Sequence, residues 1–408
     1  MKIFVKNIII FIILIICLIT LSGCYDADSV ETLTYAVAIG IDKADEDTIK
    51  LTIQFAVPKT SDSSSGSSQA SSSTIIDITC TTIDEGISLI NSYISKKVNL
   101  SHCKVIVFSE ELAYNGLSNY ILNLMNNVQI RPDCNIIISR CDAYDFLSNS
   151  IPTLESVPAR YYELILNSSE YTGYTDTIYL TNFYERLLNN RCEPIAILGG
   201  VNTKETQNRA LDIDALSNGY KADETPIETQ NHIENMGLAV FSGDSLVGEL
   251  NSIETLCHMI VSNKLKNATI TIPNPINTNT NISVYISLKK PTKNKVKIIN
   301  DYPYITSKVW ITGYVLNVDD SLDLTNKKSV DAINTAVSSY LNYNIASYLY
   351  KTSKDFHADI DDFGVEIISN YLTNDDWKKS DWLNNYKNSF FDVDVNCNII
   401  SSNLFNKF

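Results

Sequence analysis

Glycine is scarce in this chain, 14 of 408 residues, about half of ordinary usage. Phosphate-cradling loops need glycine so that backbone can approach the ligand closely. Neither a GxGxxG nor a Walker pattern occurs, which reads against a nucleotide-dependent enzyme. Histidine is scarcer still, with four residues. His102 adjoins Cys103 and His258 adjoins Cys257, but neighbours on a strand point to opposite faces. Neither pair has a second pair at zinc-like spacing, so no metal and no cofactor is expected, and both histidines are expected to make local hydrogen bonds. Basic residues are outnumbered, 32 against 47 acidic, for a net charge of −15. Nucleic acid, whose phosphates need Lys and Arg, is excluded as a partner. The same average excludes a polybasic patch as a membrane anchor.

Near-motifs fail at the positions that matter. Asp359-Ile360-Asp361-Asp362-Phe363-Gly364 begins like a calcium loop, but Phe363 takes the fifth position and Asn370 the twelfth, so a solvated helix–turn is expected. Gly243-Asp244-Ser245-Leu246-Val247 approaches a nucleophile elbow and has Val247 where the second glycine belongs. No catalytic residue is nominated. Trp377 and Trp382 are expected as core or interface anchors in preference to sugar-stacking platforms.

One long apolar run is present, Ile8 to Ile19, after Lys2 and Lys6 and before Leu21-Ser22-Gly23-Cys24. It is short for a permanent bilayer span, which takes about 20 residues, and suits a signal-peptide core. The order of elements resembles a bacterial lipoprotein signal. The expectation is cleavage after residue 23 and a diacylglycerol on the thiol of Cys24. Removing two lysines with the leader would take the net charge to −17. Two acyl chains hold a protein where one is marginal. The other seven cysteines outside the leader, Cys80, Cys103, Cys134, Cys141, Cys192, Cys257 and Cys397, are odd in number, contain no CxxC, and lie in apolar runs where a free thiol packs as a small hydrophobe.

The expected fold class is α/β (α+β): three domains, each a mixed or antiparallel sheet flanked by helices, after a cleaved signal peptide at 1–23. The N-terminal domain, 24–200, alternates strands with helices and carries a Ser-rich loop at 60–73 that cannot order itself by burial. A middle domain, 201–271, contains a hairpin about Gly243-Asp244 and a helix at Ser252 to Asn263. The C-terminal domain, 272–408, has strands at Ile282 to Lys289, Lys295 to Asn300 and Lys308 to Val318. A long helix at 327–356 follows, with Ile333, Val337, Leu341, Ile345 and Leu349 on one face.

Four segments together resemble the Ger(x)C lipoproteins, the C-subunits of spore germinant receptors. They are Cys24-Tyr25-Asp26 through Ala38-Ile39-Gly40-Ile41-Asp42-Lys43, then Leu100 to Phe108 with Glu110 to Ala113. GLAVFSGDSLVGEL at 237–250 is the third, and Ala358-Asp359-Ile360 with Phe363-Gly364, Trp377-Lys378 and Trp382 the fourth. Tyr25 stands where that family usually has Trp. The resemblance implies a non-enzymatic, lipid-anchored subunit on the outer face of the spore inner membrane. It would work beside a membrane-spanning A-subunit and a permease-like B-subunit in nutrient-triggered germination. A substrate-binding lipoprotein of a membrane importer is the rival reading, and would show two similar α/β lobes joined by hinge strands.

Overall fold

The computed structural model describes residues 2–20, 29–45, 47–57, 73–152, 154–155, 157–202, 219–317 and 323–400. Cys24 and most of the Ser-rich tract lie outside these residues. Short, continuous apolar runs make the centre of the first sheet. β1 (Leu33–Lys43), β5 (Val105–Ser109), β6 (Asn135–Ser139) and β7 (Ile195–Val201) pair in parallel, in the order β1-β5-β6-β7. Every residue of β5 and β6 is buried, as expected where helices cover both faces of parallel strands. β2 (Ile49–Ala56) and β3 (Ser73–Cys80) extend one side antiparallel. β8 (Ile233–Ser242) and β9 (Ser245–Leu250) extend the other, and β4 (Lys97–Asn99) pairs with β1. The boundary expected at residue 201 falls at the end of β7. The next hairpin pairs directly onto it, so the sheet runs on into the middle segment.

The second sheet has four strands, β10 (Ala268–Pro273), β11 (Asn281–Ile299), β12 (Tyr302–Val315) and β13 (Phe390–Ile400), in that order. β12 and β13 are parallel and the other pairs antiparallel. Sequence patterning splits β11 at Pro291, whereas the structure keeps one strand, with register shifts between Leu288 and Lys293. A proline is tolerated where the ladder is already interrupted. Asn300 and Asp301, both at positive φ, make the two-residue turn into β12, as such hairpins require.

Apolar side chains cover both faces of the first sheet. On one face Ile106, Phe108, Ile136 and Ile138 pack with Leu112, Ile121 and Phe183 of the covering helices. On the other, Val105, Val107, Ile137 and Ile197 share a continuous core with the second sheet. The helix Lys327–Lys354 buries Ile333, Val337, Leu341, Ile345 and Leu349 there, the stripe its periodicity predicts. The protein is thus a mixed α/β molecule of two sheets flanked by helices. Cys80, Cys103, Cys134, Cys192 and Cys257 are buried free thiols. The helix Lys2–Thr20 exposes its apolar side chains from Ile3 to Ile16. Among the described residues no helix is long and apolar enough to cross a membrane.

Candidate functional site

The densest buried chemistry lies between the two sheets. Asn251 accepts from the amides of Ile253 and Glu254 while Glu254 answers the Asn251 amide, a capping box that starts the helix Ser252–Val261. Thr255 to Val261 are all buried, so this helix is enclosed on every side, as an element apolar nearly all round must be. His258 therefore sits in the core. Its Nδ1 lies 2.9 Å from Asp361 Oδ1 and 3.2 Å from the Tyr348 hydroxyl, and Tyr348 donates to Asp361 Oδ2 at 2.8 Å. On the far side Nε2 lies 3.8 Å from Asp176 Oδ2, an ionic contact too long for a hydrogen bond. Lys264 Nζ also pairs with Asp176.

Charge follows from these neighbours. Burial alone would strip the proton from His258, but the carboxylates of Asp176 and Asp361 outweigh it and raise its pKa. Burial likewise opposes ionisation of Asp176, yet His258 and Lys264 pull its carboxyl down to about 2. Both results are the expected response of a buried ion to an opposite charge.

The neighbouring loop is tied as tightly. Asp359 Oδ2 accepts from the Gly364 amide and the Trp382 indole N–H, each at 2.8 Å, and Oδ1 from the amides of Asp361 and Phe363. Burial wins against these donors and holds the Asp359 carboxyl up at about 7. Gly364 is required by space: a Cβ there would come within 2.1 Å of the Arg191 carbonyl oxygen and 2.7 Å of the Trp382 ring nitrogen. The Glu193 amide donates to the Asp359 carbonyl oxygen at 2.7 Å. Arg186 donates to the carbonyls of Glu193 and Ile360 and pairs with Asp362 at 2.8 Å. Glu193 Oε2 in turn accepts from the Gly243 amide at the β8–β9 turn. A cavity of about 390 Å3 opens beside this seam, lined by Asn182, Arg186, Cys192, Lys264 and Asp362 among others.

Two expectations change here. Asp359 to Gly364, expected as a solvated turn, is buried at Asp359 and Asp361, because backbone and indole donors replace water. His258, expected to bond locally, reaches partners 90 and 103 residues away. The helix Leu180–Leu188 starts after Asp176, which leaves Asp176 ahead of it to meet Lys264. His102 is exposed at the surface, edge-on to Tyr35 with ring centroids 4.4 Å apart, while Cys103 is buried. Trp377 and Trp382 are buried anchors. Asp176, Arg186, Glu193, Lys264 and Tyr348 were not nominated by sequence; a charged residue inside an apolar helical face, as at Arg186, is the one local signal available. Among the described residues no three His, Cys, Asp or Glu side chains are placed to hold a metal. The arrangement does one thing chemically: it neutralises buried charge while fastening one sheet to the other.

The described parts of the four family-like segments pair off in this architecture. β1 and β5 lie side by side, Ile39 opposite Ile106, and the β8–β9 turn reaches the Asp359 loop through Glu193. Such a two-sheet body with a polar seam belongs to the mixed α/β class. Residues 26–198 match the family described as "Spore germination protein N-terminal domain", and residues 236–403 match "Spore germination B3/ GerAC like, C-terminal". The chain belongs to the Ger(x)C family of spore germination proteins. It is 22% identical over 396 residues to spore germination protein KC of Bacillus subtilis, covering 94% of this chain and 92% of that one. Identity to spore germination protein A3 of the same organism is 27%, over 56% of this chain and 59% of the relative. For the putative spore germination protein YfkR it is 25%, over 45% and 47%. The chain's match thus spans about half the length of the last two relatives. A crystal structure of the GerBC protein has the same fold, with a TM-score of 0.54 at 16% identity over 89% of this chain and 96% of that one.

Proposed function

We propose that this protein is a lipid-anchored, non-enzymatic subunit of a spore germinant receptor, acting through protein contacts on the outer face of the spore inner membrane. Its relatives are spore germination proteins, which supports a role in germination. The observation that carries the reading is the tandem of both family domains after a lipoprotein-like leader at 1–23 followed by Cys24. In this reading the acyl chains on Cys24 confine the body near a membrane-spanning A-subunit and a permease-like B-subunit. Confinement raises effective concentration, so weak interfaces suffice. The charge-paired seam keeps the two sheets as one body, so that a contact made by either is felt by the other. The importer reading calls for two similar lobes, while the sheets formed by the described residues differ, nine strands against four. Replacing Cys24 with Ala is expected to release the protein from membrane or leave an unprocessed precursor, read by fractionation and mass spectrometry of the amino terminus. Unchanged membrane retention together with normal removal of residues 1–23 would overturn the anchor.

A further inference from the structure

The second sheet has two faces, and among the described residues only one is covered. Ile282, Val284, Ile286, Ile305, Val309 and Ile311 face the core. The opposite face is open, and it collects positive charge from a chain whose net charge is −15. Lys290, Lys293, Lys295 and Lys297 of β11 and Lys308 of β12 all project there and are exposed. Lys293 stands directly opposite Lys308 in the register. Like charges across a strand pair cost stability unless an anion lies over them. Two carboxylates share the face: Asp394, 3.9 Å from Lys308, and Asp392, which pairs in register with Thr306. An excess of positive charge remains. Among the described residues, of these five lysines only Lys308 has a carboxylate within ion-pair distance.

Aromatic rings share the face with the lysines and with Thr306, Thr312, Asn396 and Asn398. Tyr285 stacks on Tyr314 at one end, centroids 4.9 Å apart, and Tyr304 stacks on Phe390 at the other, 5.1 Å apart. Trp310 lies between them with Lys290 Nζ 3.6 Å above its ring. Tyrosine and tryptophan settle at the headgroup level of a bilayer, with an apolar body and a polar edge. Lysine lays its stem along apolar surface and extends its ammonium to the phosphates, and anionic lipid attracts each such charge near the surface. An extended, basic face carrying aromatic rings matches a lipid surface better than a protein segment, which would be held by a groove or a free strand edge.

We propose that the open face of the β10–β13 sheet rests on the headgroup layer of an anionic bilayer. The contact fixes the orientation of the body, which a tether at Cys24 alone leaves free. It shares membrane localisation with the function proposed above, but needs no acyl chain.

The test uses the full chain with vesicles of phosphatidylcholine, with or without phosphatidylglycerol, carrying a headgroup spin label. Trp377 and Trp382 are buried, so quenching of tryptophan fluorescence reports Trp310. Quenching is expected with phosphatidylglycerol, absent with phosphatidylcholine alone, and reversed by added salt. The combined variant Lys293→Gln, Lys295→Gln, Lys297→Gln, Lys308→Gln should fall to the phosphatidylcholine level. Lys378→Gln with Lys379→Gln, on the helix Asn374–Ser380, should not. Circular dichroism of the variant checks that it is folded. Trp310 unquenched on anionic vesicles, equal quenching on both lipids, or quenching indifferent to the four substitutions would each overturn the proposal. Adsorption through the helix Lys2–Thr20 alone leaves Trp310 unquenched, and loss of the Cys24 anchor leaves this result unchanged, so the two readings fail separately.

Discussion

At the scale of single residues, His258 is where removal costs most. It stands between Asp176 and Asp361 with Tyr348 closing the third side, while Lys264 shares Asp176 and the buried Cys257 thiol lies next to it in the chain. Deleting one partner of a buried ion pair leaves an uncompensated charge and costs about 3–5 kcal/mol. His258→Leu is therefore expected to lower unfolding free energy by that amount in urea denaturation. A loss under about 1 kcal/mol would mean that the imidazole carries no charge in the folded protein. None of this was legible locally. His258 looked like a bystander because its partners lie 90 and 103 residues further along the chain.

At the scale of elements, the long helix does more than bury an apolar stripe. One turn apart along it, Asn334 accepts from the Ile399 amide at 2.7 Å and Ser338 from the Cys397 amide at 3.3 Å. Asn342 donates to the Val393 carbonyl at 2.6 Å. These side chains satisfy backbone groups of β13, the last strand of its sheet. An uncapped edge of this length invites pairing with another chain. Replacing Asn334, Ser338 and Asn342 together by Leu should free that edge, and concentration-dependent association in size-exclusion chromatography would show it. A variant that stays monomeric at every concentration would mean that the caps do not protect the edge. The apolar period of this helix was readable from sequence. Its polar stripe was not, since Asn and Ser at helical spacing read simply as a solvated face.

At the scale of the whole molecule, the seam makes stability depend on pH in a definite direction. The carboxyl of Asp359, held at about 7 by burial, lies above its ordinary value. The folded state then binds a proton that the unfolded chain has released, and stability falls as pH rises from about 4 to 7. The contribution is on the order of 4 kcal/mol. Asp223, pushed up to about 6 chiefly by burial, acts in the same sense. His258, whose pKa is raised, contributes stability below its unfolded value that is lost as pH climbs through the folded one. Asp176, lowered to about 2, works in reverse and loses its contribution as pH falls below about 4. Thermal unfolding should thus be highest near pH 5 and decline by pH 8, and Asp359→Asn should flatten part of that decline. A midpoint that rises steadily from pH 5 to 8 would contradict the assignment.

Net charge shows how far composition reaches. A sum of −15 argues against polybasic membrane contact, but a surface is met through its local field, and the register of β11 and β12 places five lysines on one face. Sequence by itself determined the local elements and the family: continuous apolar runs for the parallel strands, a helical period over 327–356, the Gly243-Asp244 turn, and four segments in family order. Those signals live within a few residues, where chain geometry is fixed by side-chain period and turn chemistry. Only the tertiary structure decided the joint and the basic face. Both are built from residues whose meeting depends on how two sheets pack and register, and no local pattern encodes which distant charge will neutralise which.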